Sequence, residues 1–160
     1  MRPALSDSIA ALRPTAEEDG QEMSTYTVVL FSEDDAVREQ VRFALGRFPA
    51  KDVELIYLEA DTGADAVKLI EDHYVDLAIL DGEAQPTGGA GLARQLKYEL
   101  NDCPPVLVLI RRAVDEWIAR WSLAEGTLLL PLDPLTTGQT VVDLLRAGTQ
   151  NVVDEPAPRR

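Results

Sequence analysis

The chain reads as an α/β protein built on a doubly wound, five-stranded parallel sheet, and three observations lead there. Five short β-branched or Leu-rich runs recur with helical patterns between them: YTVVLF (26–31), VELIYLEA (53–60), LAIL (77–80), VLVLI (106–110) and TLLL (127–130). That alternation is the mark of successive βαβ units. The inner runs 77–80 and 106–110 lack polar alternation, as strands covered by helices on both faces must. Finally, 160 residues with 46 % hydrophobic content suffice for one layered core.

The connecting segments follow in order. In AVREQVRFALGRF (36–48), Val37, Val41, Ala44, Leu45 and Phe48 share one helical face, and Asp34 or Asp35 stands ahead of it where a helix start takes a cap. GADAVKLIEDHY (63–74) ends at His73 beside Asp72, a position for a C-terminal cap interaction rather than a base. GLARQLKYEL (91–100) follows the Gly- and Pro-rich loop GEAQPTGGA, and Cys103 in NDCPP reads as a small packed residue in a turn. In AVDEWIARWSLA (113–124), Trp117 and Trp121 lie i,i+4 on one stripe. The last pattern, DPLTTGQTVVDLLRAG (133–148), gathers Val141, Val142, Leu144 and Leu145 on one face. Ligand chemistry in such a sheet belongs at the C-terminal ends of the strands.

Residues 1–24 and 149–160 mix Pro, Ser, Glu and Arg with few large apolar residues, so a folded domain is expected over 25–148. The N-terminal extension is expected to be disordered or ordered by a partner. Within it ALSDSIAALR (4–13) places Leu5, Ile9 and Leu12 on one side of a stretch too short to hold a helix alone in water. Met23 directly precedes the first strand, so a shorter product starting there is a second start-site reading.

Charge and composition exclude several function classes. The net charge of −13, from 28 acidic and 15 basic residues, repels phosphate backbones and anionic lipid heads. Nucleic acid and direct membrane insertion are therefore not expected, and a protein partner or a divalent cation suits the chain better. Cys103 and His73 are the only residues of their types, which excludes an internal disulfide and a zinc cluster. No run approaches about 18 apolar residues, and the first twenty residues carry Pro and acids where a signal peptide needs a hydrophobic run. A cytoplasmic location is expected.

The succession of strand, SEDD, helix, then strand, Asp81, Gly/Pro loop, helix, then a fifth strand ending in a Pro-containing turn resembles the receiver domain of two-component response regulators. The resemblance covers roughly residues 26 to 147, and VDLAILDG is its strongest local match. It implies the flavodoxin-like receiver fold, with Asp81 in the phospho-acceptor position and Glu33, Asp34 and Asp81 itself as candidate Mg²⁺ ligands in an active site. No other cofactor is expected.

Four positions depart from the family's pattern. Ser32 stands where one of two acids is usual. The hydroxyl position at the end of the fourth strand reads Ile110, or Arg111 if the alignment shifts by one. The Lys position before Pro131 reads Leu130, and the aromatic switch position of the fifth strand reads Thr127. Neither Ile nor Leu can donate a hydrogen bond to a phosphoryl oxygen. Losing one preorganised donor of this kind costs about 2.7–4 kcal/mol of transition-state stabilisation. Arg111 or Arg112 could swing into the gap.

Two readings follow. In one, the acids are a solvated rim that caps helix starts, and the chain is a non-enzymatic, phosphorylation-independent pseudo-receiver. In the other, it is a single-domain response regulator phosphorylated on Asp81 with Mg²⁺. The sequence also resembles an actinobacterial group of orphan receivers encoded beside subunits of respiratory complex I, the NADH:quinone oxidoreductase. That resemblance implies protein partners among the peripheral-arm subunits and a place at the cytoplasmic side of the membrane through them. The candidate contact surfaces are the stripe with Trp117 and Trp121, half core and half interface or wholly core, and the stretch with Leu5, Ile9 and Leu12.

Overall fold

The computed structural model describes residues 22–83 and 88–154. Five parallel strands, β1 (Ser24–Phe31), β2 (Val53–Ala60), β3 (Leu77–Asp81), β4 (Val106–Ile110) and β5 (Gly126–Leu129), form one sheet in the order β2-β1-β3-β4-β5. Five helices connect and follow them: α1 (Asp35–Leu45), α2 (Gly63–Asp72), α3 (Gly89–Glu99), α4 (Trp117–Ser122) and α5 (Pro134–Asp154). This is the doubly wound order whose direction reverses between β1 and β3.

Strand parity divides the core into two layers. On one face Val28, Leu30, Leu77, Ile79, Leu107 and Leu109 pack against Val37, Val41 and Leu45 of α1 and Val141, Val142 and Leu145 of α5. On the other, Val29, Phe31, Ala78, Leu80, Val108 and Ile110 meet Ala66 and Ile70 of α2 and Leu92, Ala93 and Leu96 of α3, with Ile118 of α4 alongside. The unbroken apolar runs of β3 and β4 are thus explained, since every residue in them is buried. Each fully buried Leu, Ile or Phe removes enough apolar surface from water to contribute about 1.5–3 kcal/mol.

Several ends differ from the sequence-based expectation. The first helix stops at Leu45 because Gly46 turns into the left-handed region, φ 65°, and its N–H bonds the carbonyl of Arg42. Phe48, expected on the buried face of that helix, is instead 53 % exposed beneath the guanidinium of Arg47. The segment 113–124 is not one helix: a 3₁₀ turn, Ala113–Glu116, precedes the short α4, which Leu123 ends in a left-handed conformation, φ 65°. The strand at 127–130 runs one residue earlier, and Leu130 still donates its N–H to Ile110. The first strand starts at Ser24, ahead of the domain boundary expected at 25, and α5 continues to Asp154, past the boundary expected at 148. Leu5, Ile9 and Leu12 lie outside the described residues.

Candidate functional site

Asp81 is the last residue of β3, at the point where strand order reverses. Register explains its company. Leu30 pairs with Ile79 and Phe31 with Leu80, so Ser32 follows β1 at the level of Asp81. On the neighbouring strand Asp81 pairs with Leu109, and Arg111 is the next residue of that parity. Ser32, Asp81 and Arg111 therefore continue, past the strand ends, the stripe that is apolar lower down on the α1 and α5 face.

The carboxylate is 2 % exposed and accepts four hydrogen bonds. Oδ1 receives Arg111 Nη1 at 2.5 Å and the Glu83 backbone N–H at 3.0 Å. Oδ2 receives the Ser32 hydroxyl at 2.7 Å and Arg111 Nη2 at 3.3 Å. An ionised carboxylate has about four acceptor sites, so all are used. Burial pushes the Asp81 pKa up, but hydrogen bonds from Arg111, Glu83 and Ser32, with the Arg111 charge, outweigh it and hold the carboxyl below its ordinary value. Arg111 shifts upward in turn, chiefly through its hydrogen bond to Asp81.

Of the neighbouring acids, Asp34 is committed elsewhere. Asp34 caps α1, its Oδ1 accepting the Ala36 N–H at 2.9 Å, which selects Asp34 over Asp35 for that role. Its own N–H is held by Ser32 Oγ at 3.0 Å. Glu33 is exposed. Among the described residues no group of three or more His, Cys, Asp or Glu side chains is placed to hold a metal ion. The residues present do not fit Mg²⁺ in this arrangement, because a guanidinium already stands against both Asp81 oxygens.

The remaining positions fall as follows. Ile110 points into the α2 and α3 layer, 2 % exposed, which leaves Arg111 as the polar residue at the end of β4. Leu130, before the cis Leu130–Pro131 bond, packs with Leu109 and Leu128, so an apolar side chain fills the place of an ammonium. Thr127 pairs with Val108 and is half-buried. His73 caps α2, its Nδ1 3.0 Å from the Leu69 carbonyl oxygen, and Cys103 is half-buried.

Sequence reasoning did not foresee the role of Ser32 as a buried donor to Asp81, nor the closeness of Gly82 and Gly89 to the site. A Cβ on Gly89 would come within 2.5 Å of the Asp81 carbonyl oxygen, and one on Gly82 within 2.7 Å of that of Leu109. Both glycines bracket the loop after Asp81, which is the signal a Gly-rich turn offers when backbone must approach backbone.

Trp117 and Trp121 are 62 % and 47 % exposed, so neither is a core residue. Arg94 of α3 lies between the rings of Tyr98 and Trp121, 5.3 and 5.1 Å from their centroids, and donates to the Trp121 carbonyl.

Comparison with known proteins agrees with this architecture. Two relatives, from two strains of Mycobacterium tuberculosis and each named "Uncharacterized response regulatory protein", are 47 % identical over 121 residues, covering 75 % of this chain and 91 % of theirs. The signal receiver domain of the response regulator NarL from Mycobacterium tuberculosis superposes with a TM-score of 0.63 at 29 % identity, covering 78 % of this chain and 98 % of that one. A chemotaxis response regulator of Vibrio cholerae shares the fold, with a TM-score of 0.63 at 18 % identity over 76 % of this chain and 99 % of its own. No family model matches the chain.

Proposed function

Because the chain belongs to the receiver family of response regulators, we propose that it is a member that works without phosphorylation: a non-enzymatic pseudo-receiver acting as a protein-interaction module. The observation that carries this is the saturated carboxylate of Asp81, whose acceptor sites are taken by Arg111, Ser32 and the Glu83 N–H. A phosphoryl donor would have to displace a charge-assisted fork before reaching Asp81, and Leu130 offers no ammonium to receive the phosphoryl oxygens. The exposed Trp117 and Trp121 are the contact surface in this reading.

The partner we propose is the peripheral arm of a large assembly such as respiratory complex I, with the chain as an accessory subunit at the cytoplasmic side of the membrane. The support is the likeness to orphan receivers encoded beside that complex, together with an acidic chain whose described helices include none long and apolar enough to cross a membrane. The second reading, a single-domain regulator phosphorylated on Asp81 with Mg²⁺ held by Glu33 and Asp34, is favoured by the placement of Asp81 at the strand-order reversal.

One experiment in two parts tests the proposal. The isolated chain is incubated with acetyl phosphate and Mg²⁺ and its intact mass recorded, and the tagged chain is purified from its native membranes in mild detergent. Unchanged mass with co-purification of complex I subunits is the expected result. A phosphate on Asp81 and a free monomer would support the second reading instead.

A further inference from the structure

We propose that the α3–α4 face is a recognition surface for an acidic protein segment, one in which carboxylates flank an apolar or aromatic side chain. This names the chemistry of the partner and rests on the reading of the Trp117 and Trp121 stripe as an interface.

The face combines two uncommon features. Tyr98 of α3 and Trp117 and Trp121 of α4 all expose large apolar surface, with Tyr98 70 % exposed, and Arg94 joins the Tyr98 and Trp121 rings. Trp and Tyr, together with Arg, are the residue types that dominate binding hot spots. The cations here also lack carboxylate partners among the described residues. The described part of the chain carries eleven Lys and Arg residues, and eight of them form ion pairs with acids; Lys51, Arg94 and Arg120 have no carboxylate partner among the described residues. In a chain with 28 acids and 15 bases, an unpaired cation is the exception. Two of the three lie on this one face.

Their placement suits a ligand. Arg120 is exposed and lies one helical turn from Trp117 on α4. Arg94 lies over the Tyr98 and Trp121 rings and donates to the Trp121 carbonyl, contacts that hold the guanidinium in place while no carboxylate among the described residues pairs with it. The exposed acids nearest the stripe in sequence are Glu116, which stands one turn before Arg120 yet forms no ion pair with it, and Glu125, which is held by Lys97 at 2.9 Å. An incoming carboxylate would therefore find prepositioned cations beside aromatic surface. An anionic bilayer satisfies the same cations less well, because a net charge of −13 opposes approach and each basic residue near a membrane contributes only about 1 kcal/mol.

The test presents a random 12-residue peptide display library to the full chain and sequences what is retained. Peptides with Asp or Glu flanking an apolar residue should be enriched, and their affinity should fall at least tenfold in Trp117→Ala/Trp121→Ala and in Arg94→Glu/Arg120→Glu. Arg120→Glu alone, which disturbs no described contact, should cost several-fold and keeps the test valid if the double variant misfolds. Enrichment without acidic bias, no enrichment, or affinity indifferent to Arg120→Glu would overturn the proposal. So would binding of phosphatidylserine-containing vesicles through the tryptophans. Uptake of phosphate from acetyl phosphate by a chain that still selects acidic peptides would reject the pseudo-receiver reading and leave this surface standing.

Discussion

Arg111 grips Asp81 with both terminal nitrogens, yet only one partner of the pair can reach water: the arginine side chain is 33 % exposed and the aspartate 2 %. Removing the two ends of the bridge therefore has unequal effects. Arg111→Ala leaves a buried carboxylate without its charge partner and should destabilise by about 3 kcal/mol, the low end of the range for broken buried pairs because Arg111 is partly hydrated. Asp81→Asn keeps an acceptor for Ser32 and frees an arginine that can turn to solvent, so about 1 kcal/mol is expected. Urea unfolding of both variants checks the order; equal losses would contradict it.

Acid sensitivity follows with a definite sign. The folded pKa of Asp81 lies below its ordinary value, so the group binds fewer protons folded than unfolded. Its stabilisation is complete above the unfolded carboxylate value of about 3.9 and is lost as pH falls through the lower folded value. In Arg111→Ala the upward push of burial loses its strongest opponent. Circular dichroism against pH should show acid unfolding beginning at higher pH in that variant than in the native chain.

Gly89→Ala should perturb the site without touching a site side chain. The added methyl would meet the carbonyl carbon and oxygen of Asp81 at 2.7 and 2.5 Å, contacts that only movement of α3 away from β3 can relieve. Overpacking of this kind costs about 1–3 kcal/mol. A melting curve supplies the stability, and exchange of the Glu83 amide reports whether its hydrogen bond to Asp81 survives.

The tryptophans should behave as surface residues in every assay except binding. Since Trp117 and Trp121 are largely exposed, alanine at both should change unfolding stability by no more than about 1 kcal/mol. If they anchor a partner, each should cost about 2 kcal/mol or more in association. A double variant that fails to fold would place them in the core against the observed exposure.

The inner strands were legible because buried parallel strands are written as unbroken apolar runs, so 106–110 coincides with β4; the edge strand β2 also coincides with 53–60, though Glu54 and Glu59 break its apolar pattern. Helix ends were less so. Phe48 continued a helical pattern in the letters, but Gly46 had already turned the backbone, and periodicity carries no information about where a left-handed residue interrupts it. The site was half legible. Asp81 stands out as a carboxylate ending a wholly apolar run, whereas the choice between Ile110 and Arg111 depends on strand parity, which assigns the first to the core and the second to the carboxylate. The pairing of Ser32 with Asp81 spans 49 residues and leaves no local trace.

The two-layer core makes the protein a laminate, and its two surfaces of interest belong to different laminae. Ser32, Asp81 and Arg111 extend the stripe facing α1 and α5, while α3 and α4, with the aromatic patch, lie on the reverse side. Two covalent straps join them: the loop from Asp81 to Gly89 of α3, and the short run from Arg111 to Trp117, creased by a 3₁₀ turn and pinned where Arg112 clasps Asp115 at 3.0 and 3.2 Å. Engineering can therefore treat the laminae separately. Substitutions that tighten the α1 and α5 layer should raise thermal endurance without altering what the aromatic surface selects, and a change of grip at Asp81 has those two straps as its direct covalent routes to the far side.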